Sequence, residues 1–157
     1  MRIERVLIAL DHSVLSAHAA EVGIELANRL GAETALVHAV DPKLRRTADH
    51  GRVLAELIVG ALIDGRSLLE RIAKRAKLPS APFEFVPVGH PATEIIRTAA
   101  DWRAELLVIG SHRPREEGQR RQNSVSDEVM RYAPCPILMV TAALRTTHVY
   151  ANVSNIR

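Results

Sequence analysis

Val6-Leu7-Ile8-Ala9-Leu10-Asp11-His12-Ser13 runs from five consecutive aliphatic residues into two residues that cap helices. An unbroken apolar run of this length suits a strand buried on both faces, as in a parallel sheet covered by helices. Asp11 and Ser13 offer side-chain oxygens to the free N–H groups of a following helix. From Val14 onward, Ala17, Ala20, Ile24 and Ala27 recur at helical spacing, and Gly31 supplies a C-terminal stop. The segment therefore reads as strand, cap, helix: the first half of a β-α-β unit.

The same unit recurs along the chain. Thr34 to Val40 reads as a second strand, ended by Asp41-Pro42. A polar stretch from Lys43 to Gly51 leads into a long helical pattern reaching about Lys77, with Gly60 and Gly65 inside it. Phe83 to Val88 alternates as a third strand. Pro87 cannot donate to a ladder, so this strand belongs at an edge. Gly89-His90-Pro91 forms a turn, with Pro91 suited to the first position of a helix that carries Ile95, Ile96, Ala99 and Ala100. Leu106 to Ile109 is a fourth apolar run, ending at Gly110. A polar loop follows, and Ser124-x-x-Asp127 reads as a capping box for a short helix. Pro134-Cys135-Pro136 ends that helix, and Ile137 to Val140 forms the fifth strand. Five short apolar strands separated by helices imply parallel pairing with right-handed crossovers, hence a doubly wound, three-layer α/β domain. Ligands of such folds sit beyond the carboxyl ends of the strands, at the topological switch point. That directs scrutiny to Asp11, Asp41, Gly89 and Gly110 onward.

Composition narrows the function. The 157 residues and 17.3 kDa suit one domain, expected over residues 1–143, with residues 144–157 as a polar C-terminal arm at a dimer interface or free of the domain. Aromatics make up only 3%, so the core is aliphatic and base-stacking platforms for nucleic acid are scarce. The net charge of +3, with a pI near 9.5, is too weak by itself to specify a polyanion. Only Lys43, Lys74 and Lys77 among the 21 basic residues are lysine. Cys135 is the single cysteine, which excludes an internal disulfide and a cysteine-rich zinc site. No apolar run approaches the ~20 residues that span a bilayer. Arg2, Glu4, Arg5 and Asp11 argue against a secretory signal, so the expectation is a cytoplasmic protein binding neither membrane nor nucleic acid.

Several motifs in order resemble the universal stress protein family. They are Val6 to Ser13, Leu36-Val37-His38-Ala39-Val40, Val88-Gly89-His90-Pro91-Ala92, Gly110-Ser111-His112, Asn123-Ser124-Val125-Ser126, and Ala133-Pro134-Cys135-Pro136-Ile137. The resemblance spans roughly residues 3 to 141. It implies a five-stranded parallel sheet of order 3-2-1-4-5, of the adenine nucleotide alpha hydrolase-like type. It also implies a homodimer, often formed through the last strand. Members that bind ATP resemble one another in a loop written G-x-x-G, nine residues, G-[S/T]. Glycines there let backbone N–H groups point at phosphates, and the last pair opens a helix whose dipole favours an anion.

This chain keeps that spacing but departs from the glycines. Gly110 stands first, Arg113 replaces the second glycine, Asn123 replaces the third, and Ser124 is kept. Asn123 tolerates left-handed backbone, whereas Arg113 before Pro114 is pushed toward extended conformations. Arg113, Arg115, Arg120 and Arg121 stand against Glu116 and Glu117, so the loop carries much of the chain's excess charge and could offer guanidinium groups to phosphate. Carried over by resemblance, Asp11 meets the adenosine end, Ala39 lines the adenine pocket, and Gly110, Arg113, Asn123, Ser124 and Ser126 surround the phosphates of ATP or AMP. Plain helix capping accounts equally for Asp11 and Ser124. The alternative function is a dimeric scaffold that binds no nucleotide and acts through an unidentified protein partner.

Other chemistry finds little support. The seven histidines form no short ligand pair, and His38 reads as a strand-end residue. His12, His90 and His112 all follow strand ends, but no metal is expected. A nucleophile elbow, a Walker loop and the dinucleotide fingerprint are all missing. Catalysis is not expected: the resemblance allows slow ATP hydrolysis in members that bind it, but no residue here is an evident general base.

Overall fold

β1 (Arg5–Ala9) occupies the centre of a five-stranded parallel sheet in the computed structural model, which describes residues 2–45, 51–111 and 124–141. Val6, Leu7 and Ile8 are fully buried, as a run apolar on both faces demands. β1 is flanked on one side by β2 (Glu33–Val37) and on the other by β4 (Leu106–Ser111). β3 (Phe83–Phe85) and β5 (Ile137–Thr141) form the two edges, giving the order β3-β2-β1-β4-β5. Pro87 follows the short β3, and its carbonyl accepts from the Val40 N–H at 2.9 Å, so its missing donor is spared at the edge.

The helices cover both faces. α1 (Val14–Leu30) and α2 (Gly51–Arg75) pack on one side, where Ile8, Leu36, Val108, Ala20, Leu68 and Leu69 form a core. α3 (Pro91–Asp101) and α4 (Val125–Tyr132) pack on the other, over Leu7, Val37, Leu107, Ile95 and Val129. Odd- and even-numbered strand residues therefore serve opposite layers. Gly31 ends α1 at φ 64°, and its amide reaches back to the Asn28 carbonyl at 3.2 Å. Pro91 opens α3 as expected. No helix among the described residues is long and apolar enough to cross a membrane.

Strands two and three end earlier than the sequence pattern suggests. Both were expected to extend to Val40 and Val88, and these residues meet only in an isolated bridge. Beyond Val37 the second strand keeps its bonds toward β3, with His38 N–H on the Phe85 carbonyl at 3.0 Å. Toward β1 the ladder stops. The Leu10 carbonyl is held by His38 Nδ1 at 2.9 Å, and the Asp11 N–H goes to Ser16 Oγ at 2.8 Å. Side chains thus replace backbone pairing where the strands part. The expected arm, residues 144–157, lies outside the described residues.

Candidate functional site

A cavity of about 410 Å³ opens where β1, β2 and β4 end, within the usual size of a small-molecule site (about 300–1,000 Å³). Two other cavities of similar size lie along β3, but this one sits at the point where the chain leaves β1 in both directions. Ala9, Leu10, Leu15, Ile95 and Ile109 give it apolar walls. Its polar groups come from the strand ends and from the first turns of two helices.

The residues after β1 form a closed set of hydrogen bonds. Asp11 Oδ1 accepts the Ser13 N–H at 2.8 Å. Ser13 is the N-cap of α1, and its Oγ accepts the Ser16 N–H at 3.1 Å. Ser16 Oγ accepts the Asp11 N–H in turn. Three short polar side chains thus satisfy the free amides at the helix entry and fix Asp11 at the cavity rim. Across the opening, Ser124 caps α4, accepting the Asp127 N–H at 3.1 Å, which forms the Ser124 half of the expected capping box. Ser124 Oγ lies 3.0 Å from Ser126 Oγ, and Ser126 is buried. Gly110 packs closely on α1: a Cβ there would stand 3.2 Å from the Leu15 carbonyl oxygen, tighter than an ordinary contact.

Asp11, Ala39, Gly110, Ser124 and Ser126, five of the residues singled out from the sequence, line this one cavity. Arg113 and Asn123 lie outside the described residues, as does His112. Sequence reasoning did not assign Ser13, Ser16, His38, Pro91 or Val125 to the site, although all five line it. A signal existed for Ser13 and Ser16: serines at spacing three after an aspartate, at a helix entry. Asp41 was among the strand-end residues marked for scrutiny but was given no role.

The remaining titratable groups are mostly structural. His38 is the strand-end residue expected, packed edge-on against His12 with ring centroids 5.3 Å apart. His90 Nδ1 lies 3.8 Å from Glu128 Oε1, linking the starts of α3 and α4 beside the cavity. Burial pushes the Cys135 thiol above its ordinary range, so it is a poor nucleophile. No group of three His, Cys, Asp or Glu among the described residues could hold a metal ion. The described lining contains two carboxylates, Asp11 and Asp41, and the His38 ring, but no lysine or arginine.

Fold and site together define a doubly wound α/β domain with a small-molecule cleft at its switch point. The profile of the Universal stress protein family matches residues 2–141, and the chain belongs to that family. It is 33% identical over 141 residues to a universal stress protein of Thermus aquaticus, covering 86% of this chain and 96% of that one. Among solved structures it is similar to a universal stress protein in complex with cAMP, with a TM-score of 0.71 and 21% identity over 91% of this chain and 100% of that one. It is also similar to the Archaeoglobus fulgidus universal stress protein in complex with dAMP, with a TM-score of 0.61 and 22% identity over 89% and 99% of the two chains. At these identities the two structures establish the shared fold.

Proposed function

We propose that this universal stress protein is a binding module for an adenine nucleotide, ATP or AMP, and senses it without turning it over. The observation that carries the reading is convergence. Asp11 after β1, Ala39 after β2, Gly110 in β4 and Ser124 and Ser126 at the start of α4 are far apart in sequence, yet they line one cavity. Ala39 and the aliphatic walls suit a base, Asp11 a ribose hydroxyl, and the α4 entry a phosphate. Relatives of this fold in complex with cAMP and dAMP support the ligand class. Binding rather than catalysis fits the serines, whose hydroxyl oxygens accept from backbone N–H groups in the helix entries.

The test is a thermal-shift series with ATP, AMP and cyclic AMP, confirmed by calorimetry. A ligand that binds only the folded state raises the unfolding midpoint. Ser124→Trp should remove the shift by filling the α4 entry. A flat series with a flat calorimetric titration would overturn the reading. It would favour the dimeric scaffold, which the Arg113-Pro114 step in place of a loop glycine also suits.

The assembly belongs to the same proposal. We place a homodimer contact at β5, an edge strand whose Ile137, Leu138 and Met139 are only half buried. Met130 and Tyr132, on the α4 helix that precedes β5 in the chain, are 58% and 62% exposed. We place the protein in the cytoplasm, where a free Cys135 is kept reduced.

A further inference from the structure

We infer that the segment after β5 folds back across the sheet and adds a strand to the open edge of β3, residues 149–153 pairing antiparallel with Glu84, Val86 and Val88. The outer side of that edge is unpaired. Its inward bonds fall on alternate residues: the Phe85 carbonyl accepts the His38 N–H at 3.0 Å, the Pro87 carbonyl accepts the Val40 N–H at 2.9 Å, and the Gly89 N–H donates to the Val40 carbonyl at 3.0 Å. By that alternation Glu84, Val86 and Val88 turn their N–H and C=O groups away from β2. Val86 and Val88 find no backbone partner among the described residues. Natural sheets blunt such an edge with lysine, a bulge or a covering segment. β3 carries no lysine, and Phe83 and Val88 along it are exposed.

The two flanks of this edge differ. On the α2 side, Val59, Ile63 and Val86 line a cavity of about 420 Å³, and Val59 and Ile63 are 55% and 59% exposed. On the α3 side, Thr98, Asp101 and Trp102 line one of about 460 Å³. A strand added here suits both flanks if it is apolar on one face and polar on the other. In the chain after Thr141, Val149, Ala151 and Val153 alternate with His148, Tyr150 and Asn152. Val86 packs with the α1 and α2 core and Phe85 with the α3 and α4 core. Setting Val149 against Val88, Ala151 against Val86 and Val153 against Glu84 therefore gives the apolar face to the α2 side, and alternation fixes that register. The segment also brings Arg145 and Arg157, and no carboxylate, to an edge where Glu84 and Asp101 lie and Arg97 is already bonded to Glu94. The reach agrees. β5 and β3 are opposite edges, so a strand outside β3 lies five spacings of about 4.8 Å from β5, roughly 24 Å. Residues 142–148 span about 23–25 Å when extended, which makes Val149 the first residue able to pair. The segment leaves β5 at the carboxyl edge of a parallel sheet, so it meets β3 at Val88 and runs back toward Glu84. The β5 edge stays open for the dimer contact.

The test is amide hydrogen exchange by NMR on the full chain. In the wild type, the Glu84, Val86 and Val88 amides should exchange at least about ten-fold more slowly than in Ala151→Pro, which removes the donor set against Val86. Protected Leu7 and Ile8 amides report that the variant is folded. If it fails to fold, the wild type decides by itself: short Hα contacts are expected between Phe85 and Asn152, which this register places opposite each other without mutual hydrogen bonds. Wild-type edge amides that exchange as freely as the unfolded chain would overturn the inference, and so would protection unchanged in a folded Ala151→Pro. Contacts found only between differently labelled chains in a mixed sample would also overturn it, because a second copy would then cover the edge.

Discussion

Gly60 and Gly65 are equivalent in the sequence, two glycines inside one helical pattern, and the structure separates them. A Cβ at Gly65 would stand 2.7 Å from His38 Cδ2 and 2.9 Å from Val86 Cγ1. The His38 ring cannot swing aside without losing its bond to the Leu10 carbonyl. Gly65→Ala is therefore expected to cost about 1–3 kcal/mol in urea denaturation, as overpacking does. Around Gly60 nothing lies within 4 Å of the same atom. Gly60→Ala should stabilise by up to about 1 kcal/mol, the helix propensity difference. Cys135 gives a second test at this scale. Its raised pKa, caused by burial, keeps the thiol protonated in the folded state. Iodoacetamide should modify it more slowly than the unfolded chain at mildly alkaline pH, and the gap should close on adding denaturant.

At the scale of elements, the short pieces are the informative ones. α4 has eight residues and begins at the cavity, so its cap matters twice. Ser124→Ala should cost about 1 kcal/mol through the lost cap. Denaturation in the absence of nucleotide isolates that part from any loss of binding. β3 has three residues and carries Glu84, whose carboxyl is raised above its ordinary range. Desolvation is the main cause and repulsion from Glu70 the next, opposed by Arg66 and Lys74. The folded state then binds the Glu84 proton up to a higher pH than the unfolded chain does. Stability falls as pH rises through that window, because the unfolded state holds fewer protons there. Because Glu84 is exposed and solvent screens its charge, Glu84→Gln should raise the urea midpoint at neutral pH only slightly, and the gain should disappear in acid below the carboxylate range. Strand existence and order of appearance were legible from apolar runs. Strand ends were not, because His38 and Ser16 take over the backbone partners where β1 and β2 part, and no local pattern announces that exchange.

For the whole molecule, ligand and assembly are the measurable quantities. A nucleotide at about a hundred times its Kd should add roughly 2.7 kcal/mol, which for a domain of this size raises the midpoint by roughly 5–10 °C. If β5 forms the dimer contact, Met139→Lys should yield a folded monomer by size exclusion with light scattering. Wild-type protein that is already monomeric in that measurement would refute the β5 contact.

The sequence by itself determined the layers and the family. Aliphatic runs such as Val6 to Leu10 are buried whatever their neighbours, and capping residues act within one turn, so both signals are local. The edge position of β3 was also legible, since Pro87 lacks a donor wherever it lies. Asp11, Ala39, Gly110, Ser124 and Ser126 could be named from the family resemblance, yet that left capping and binding equally good accounts of Asp11 and Ser124. Only the tertiary structure brought these five residues to one cavity, and only it added Ser16 and His38. The reason is physical: a cleft at a switch point exists only after β2 and β4 have taken opposite sides of β1, and that choice depends on contacts distant in sequence.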